Sequence, residues 1–214
     1  MSIKDNLAKL NLPVKLVAVT KGVPVEKIEE AIRAGVTDIG ENRIQEAEPK
    51  IRYLRPKYPQ VKFHFIGHLQ TNKVRQALDL FDIIQSLDSE RLAREISARA
   101  ARIIPVLIEV NASAEKSKSG LPVEQTLEFV QSVARLPNLK VEGLMTIAPL
   151  AGDPEVARPF FKKLKDLKDK ILELNLPNVE MKYLSMGMSD DYTVAIQEGS
   201  NLVRLGRAIF GQRS

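Results

Sequence analysis

The sequence predicts an α/β fold of the (β/α)8 TIM-type barrel class, in a single domain, and three observations predict it. Short apolar runs alternate with amphipathic stretches from end to end, the runs number eight, and each is followed by a helical pattern or a helix-opening turn. A doubly wound open sheet shares that alternation and is the other fold it allows. The 214 residues fit one domain over 1–214, and 44% hydrophobic content is enough for a sizeable core, which excludes a disordered chain.

The elements follow in order. Lys15 to Thr20 is a buried strand; Pro24 then opens a helix with Val25, Ile28, Ala31 and Ile32 on one stripe, ended by Gly35. Asp38-Ile39-Gly40 is the second strand, with a helix through Ile44, Ala47 and Ile51. Lys62 to Ile66 and Asp82 to Gln85 are the third and fourth strands, with helices over Thr71 to Leu80 and Ser89 to Ala101. Pro105 to Val110 is the clearest strand, and Pro122 to Leu136 its helix. Lys140 to Met145 precedes a long helix from Pro154 to Leu174, with Phe161, Leu164, Leu167 and Ile171 at helical spacing. Val179 to Leu184, a helix over Asp190 to Glu198, and Leu202 to Leu205 complete the count. The segment before the first strand is short, so any leading helix is expected to be truncated. The chain ends about ten residues past the eighth strand, so no second domain is expected after it.

Composition removes several function classes. There is no cysteine, hence no disulfide, iron–sulfur cluster or thiol nucleophile, which suits a reducing cytoplasmic location. The first residues, Met1 to Asn6, carry no signal-peptide pattern, and the apolar runs are strand-sized, so no membrane span is expected. Lys plus Arg number 32 against 27 Asp plus Glu, a net +5. These charges are interleaved, and without tryptophan the chain has little for base stacking. Lys162 to Lys170 alternates with Asp166 and Asp169 as a solvated helix face does. No nucleic-acid partner is expected, and the basic balance suits an anionic small ligand instead. His64 and His68 share no helical face, so no metal site is expected. Asp190 and Asp191 read as acids opening a helix. Gly206 to Gly211 lacks the Lys-Ser/Thr of a P-loop, and no Gly-x-Ser-x-Gly elbow exists.

A barrel builds its site where strands end. Those ends hold Thr20-Lys21-Gly22, Gly40-Glu41-Asn42, Gly67-His68, Asn111, Thr146, Ser185 to Ser189, and Gly206-Arg207. Lys21 closes an apolar strand, where desolvation favours the neutral amine that attacks aldehydes. Position alone fits an ordinary rim lysine better. Gly187-Met188-Ser189 and Gly206-Arg207-Ala208 are phosphate candidates, because glycine lets backbone N–H groups approach an oxyanion and barrels place phosphates after strands seven and eight. Ser189 has an alternative use as a helix N-cap. Arg204, on the last strand, needs an acceptor: a carboxylate partner or a ligand atom. Lys118 reads as a solvated loop lysine, with a secondary contact to the ligand as the alternative.

Seven ordered blocks resemble the pyridoxal phosphate homeostasis protein family. They are Leu16 to Lys21, Gly40 to Glu46, His64 to Lys73, Ser117 to Gly120, Gly143 to Met145, Leu184 to Asp190, and Val203 to Gly206. The resemblance implies a barrel like the N-terminal domain of alanine racemase, with pyridoxal 5′-phosphate (PLP) held as a Schiff base on Lys21. It implies a ring-side contact for Asn42, phosphate contacts for Ser189, Gly206 and Arg207, and a pyridine-nitrogen contact for Arg204. Family members often carry Thr or Ser where Arg207 stands, so a hydroxyl contact is lost there.

Arg204 against the ring nitrogen would weaken the electron sink on which PLP catalysis depends. In the racemases that this fold resembles, a tyrosine from the additional domain of a partner subunit supplies the second acid–base group, and Tyr53, Tyr58, Tyr183 and Tyr192, on or near the barrel, are not expected to replace it. The expectation is therefore a monomeric PLP carrier, buffer or regulator with little catalysis of its own, delivering cofactor to apo-enzymes. A weak amino-acid racemase or lyase is the alternative.

Overall fold

The computed structural model describes residues 2–115 and 118–212; Lys116 and Ser117, at the start of the Ser117 to Gly120 block, lie outside them. The strands are β1 (Lys15–Val19), β2 (Asp38–Glu41), β3 (Lys62–Phe65), β4 (Ile83–Leu87), β5 (Ile104–Asn111), β6 (Leu139–Met145), β7 (Val179–Ser185) and β8 (Leu202–Leu205). Each pairs in parallel with the next. β8 returns to β1 in the register Lys15↔Leu202 to Ala18↔Leu205, so the sheet closes. Closure rules out the open sheet. A two-residue strand, Leu121–Pro122, attaches to β5 outside the ring.

The helices are α1 (Ile3–Leu10), α2 (Val25–Arg33), α3 (Ile44–Leu54), α4 (Val74–Leu80), α5 (Glu90–Arg99), α6 (Val123–Val133), α7 (Arg158–Glu173), α8 (Tyr192–Gln197) and α9 (Arg207–Phe210). The helix expected from Pro154 starts as a 3-10 turn, Pro154–Ala157, before α7 takes over. The leading helix, expected to be truncated, is the eight-residue α1. A capping box holds α1: Asp5 N–H donates to the Ser2 hydroxyl and Ser2 N–H to the Asp5 carboxylate, each at 3.1 Å. Asn6 Nδ2 donates to Ile209 O at 2.8 Å, which ties α1 to α9.

Strand alternation divides the residues between two faces. Ala18, Ile39, Phe63, Phe65, Ile84, Ile108, Leu144, Leu184 and Val203 join the large core under the helices. Val17, Leu107, Met145, Tyr183 and Leu202 form a separate small cluster on the other face, inside the barrel. Lys15, Asp38, His64, Gln85, Glu109, Ser185 and Arg204 share the inner parity, so the barrel interior is partly polar. Gly143 sits where β6 shifts register against β7; a Cβ there would lie 2.0 Å from Tyr183 O.

Candidate functional site

Inner parity carries Lys21 beyond the end of β1, Asn42 beyond β2, Glu109 on β5 and Arg204 on β8 into one cavity at the C-terminal mouth, of about 310 Å³. Ile66, His68, Lys118, Ile147 and Met188 help to line it. That volume is of the size that holds a small ligand. Asn42 Oδ1 is buried there with no hydrogen-bond partner among the described residues, an acceptor left for something in the cavity. Asn42 is held in place by Gly67, where a Cβ would come within 2.2 Å of Asn42 O.

The loop carrying Lys21 is gripped from behind. Thr20 Oγ1 donates to Glu41 Oε1 at 2.7 Å. Lys50, on α3, donates to Thr20 O (2.8 Å), Glu41 Oε1 (2.9 Å) and Glu46 Oε1 (2.7 Å). Glu46 also accepts from Gly22 N–H. Lys21 is thus flanked by two backbone groups fixed by one ion cluster. Burial lifts the Glu41 carboxyl above its ordinary range despite Lys50 and Thr20.

Arg204 is 4% exposed and pairs with no carboxylate among the described residues. Its Nη1 donates to Ser185 O (2.7 Å) and Ser185 Oγ (2.6 Å), and its Nη2 to Thr146 O (2.8 Å). Burial brings its pKa down to about 10, against the pull of Glu109 and Asp191, so it stays charged at neutral pH. Glu109, also buried, is pushed up to about 7 by desolvation and by Asp88, with Arg204 acting the other way.

The other three sequence-predicted residues fall beside this cavity. Gly206 and Arg207 line a neighbouring space of about 190 Å³ with Gly22 and Val23; Val19 borders both. Ser189 Oγ accepts from Ala208 N at 3.2 Å, which joins the two glycine loops and satisfies an N–H in the first turn of α9; it is not the N-cap of α8, the helix that follows it. Asp191 occupies the N-cap position of α8, yet its carboxylate accepts from Met188 N at 2.6 Å. Asp190 pairs with Arg207. Lys118 is not a solvated loop lysine: its Nζ is buried, 2.9 Å from Glu115 Oε1, and the side chain lines the mouth cavity. None of the tyrosines lines that cavity among the described residues.

The sequence alone did not single out Glu109, Lys50 or Gln85; it placed Glu41 and Ser185 at strand ends without a role and weighed His64 only as a metal ligand. A signal was present. Each strand residue among them interrupts an apolar run, as His64 does between Phe63 and Phe65 and Glu109 between Ile108 and Val110.

The family model described as alanine racemase, N-terminal domain, matches residues 2–214. The pyridoxal phosphate homeostasis protein of Aquifex aeolicus is 44% identical, over 93% of this chain and 87% of its own length. That of Homo sapiens is 38% identical, over 93% and 76%. The structure of PipY from Synechococcus elongatus with PLP bound superposes with a TM-score of 0.87 at 33% identity, covering 98% of this chain and 100% of that one. Alanine racemase from Corynebacterium glutamicum shares the fold alone: TM-score 0.80 at 19% identity, covering 99% of this chain and 61% of the racemase. The closed barrel, the family model and these identities along nearly the whole chain place the protein in the pyridoxal phosphate homeostasis protein family.

Proposed function

We propose that this protein carries PLP covalently on Lys21 and acts in intracellular PLP homeostasis as a carrier and regulator, with the barrel over 1–214 as the binding unit. The observation that carries the reading is the convergence, in one mouth cavity, of Lys21, the unpaired Asn42 acceptor and the charged Arg204. The PLP held by PipY and the names of the relatives support it.

In this reading Lys21 holds the cofactor, Asn42 contacts the ring side and Arg204 faces the ring nitrogen. Ser189, Gly206 and Arg207 take the phosphate: a hydroxyl, a backbone N–H and a cation on one rim. Bound PLP supplies an aldehyde for amines and a ring that withdraws electrons. Arg204 can only donate, so it leaves a ring nitrogen without a proton and keeps that withdrawal weak. Lys50, Glu41 and Glu46 hold the backbone on both sides of Lys21 so that its amine meets the cavity in one orientation. This arrangement suits storage and transfer better than turnover. Apo-enzymes in the cytoplasm are the proposed recipients, and the carrier works as a monomer.

The test is direct. Wild-type protein mixed with PLP becomes yellow, and borohydride reduction followed by peptide mass spectrometry places the added mass on Lys21. Lys21→Ala stays colourless. An adduct on another lysine, or none, overturns the reading. The loaded wild type also reactivates a PLP-depleted enzyme, in proportion to the cofactor released.

A further inference from the structure

Side chains from β2, β3, β4, β7 and β8 meet in a line that crosses the barrel interior. Arg204 Nη1 lies 2.6 Å from Ser185 Oγ, which lies 2.6 Å from Gln85 Oε1. Gln85 Nε2 lies 2.8 Å from His64 Nδ1, and His64 Nε2 lies 2.8 Å from Asp38 Oδ1. All five residues are buried. At the far end Lys15 Nζ pairs with Asp38 Oδ2 at 2.8 Å and Thr37 Oγ1 donates to it at 2.7 Å.

With a neutral His64, chemistry fixes the direction of every bond. A guanidinium only donates and a carboxylate only accepts. Ser185 therefore receives the Arg204 N–H on a lone pair and turns its own proton to Gln85 Oε1. The Gln85 amide then offers N–H to His64 Nδ1, and the His64 proton on Nε2 goes to Asp38. All four donors point the same way, from the cation at the cavity to the anion near the barrel's other end. Linked hydrogen bonds of one sense reinforce each other in a low-dielectric interior. Against its own burial, His64 and Lys15 hold the Asp38 carboxyl down at about 2, so the anchor is ionised.

A stabilising polar core would need none of this to end on a ligand-lining residue. Here it does. Of the five guanidinium donors, three bond Ser185 and Thr146, and the residue itself lines the cavity.

We propose that Ser185, Gln85 and His64 are positioning residues: a one-way hydrogen-bond chain, anchored on Asp38, that locks Arg204 as a fixed donor at the floor of the cavity. The inference rests on the assignment of Arg204 to the cofactor ring. It implies that the floor selects a ligand atom with a free lone pair and rejects a protonated ring nitrogen.

Two measurements decide it. In cofactor-free protein at pH 7.5, nitrogen NMR of His64 shows the neutral ring with its proton on Nε2; an Nδ1–H tautomer or a doubly protonated ring overturns the chain. In loaded protein, Ser185→Ala still gives the reduced adduct on Lys21 and a native near-UV circular dichroism spectrum. It nevertheless holds PLP about tenfold less tightly, the loss expected for one charge-assisted hydrogen bond. Ser185→Thr, which keeps the hydroxyl, restores retention. A Ser185→Ala protein that retains PLP like wild type overturns the positioning role. Failure of the wild type itself to take up PLP overturns the cofactor assignment instead, and the NMR result still tests the chain.

Discussion

Glu109 carries an acid into the middle of the most apolar strand, and that has a consequence for stability. Its carboxyl is raised from an ordinary 4.5 to about 7, by burial first and by Asp88 next. The folded state therefore binds a proton there that the unfolded chain has released between those two values. Its stabilising share is complete below pH 4.5 and disappears as pH climbs through 7. Glu109→Gln, which cannot ionise, is expected to be more stable than wild type at pH 8 by on the order of 1–3 kcal/mol, and nearly equal to it at pH 5. Urea unfolding at the two pH values checks this; equal stability at pH 8 contradicts it. Glu109 also shows where the sequence became hard to read. Lys21 and Arg204 stand out because strand ends and strand polarity can be found from periodicity. The role of Glu109, His64 or Gln85 depends on which strand face turns inward, and that is decided only when the sheet closes.

At the level of elements, all eight strands were legible within about two residues at each end, because β-branched runs bounded by Gly, Pro and Asn leave few other placements. α1 was not. Eight residues make a marginal helix in isolation, and this one is held by a capping box and by the Asn6 bond to Ile209, a partner some two hundred residues away in sequence. The Lys50 cluster was illegible for the same reason: it joins α3 to the loop after β1. Lys50→Met leaves the buried Glu41 carboxylate without its cation, which is expected to destabilise the fold by roughly 3 kcal/mol. It should also slow colour development on mixing with PLP, because Thr20 O and Glu46 lose their fixed point. Lys50→Arg should recover most of the stability. Stopped-flow absorbance and thermal melts separate the two effects.

For the whole molecule, closure by β8 on β1 makes the barrel one cooperative unit, and any ligand of the native state must raise its melting temperature. With free PLP at a hundred times its dissociation constant, wild type is expected to gain about 2.7 kcal/mol, scaling with the logarithm of concentration, and Lys21→Ala much less. Calorimetry over a range of PLP concentrations tests both statements. The same closure bears on how the protein is made. The first barrel strand to leave the ribosome finds one of its two neighbours in the eighth, and Arg204 sits on that eighth strand. A nascent chain therefore cannot seal its cylinder until Leu202 to Leu205 have left the ribosome, and the contact proposed between Arg204 and the cofactor waits for the same step.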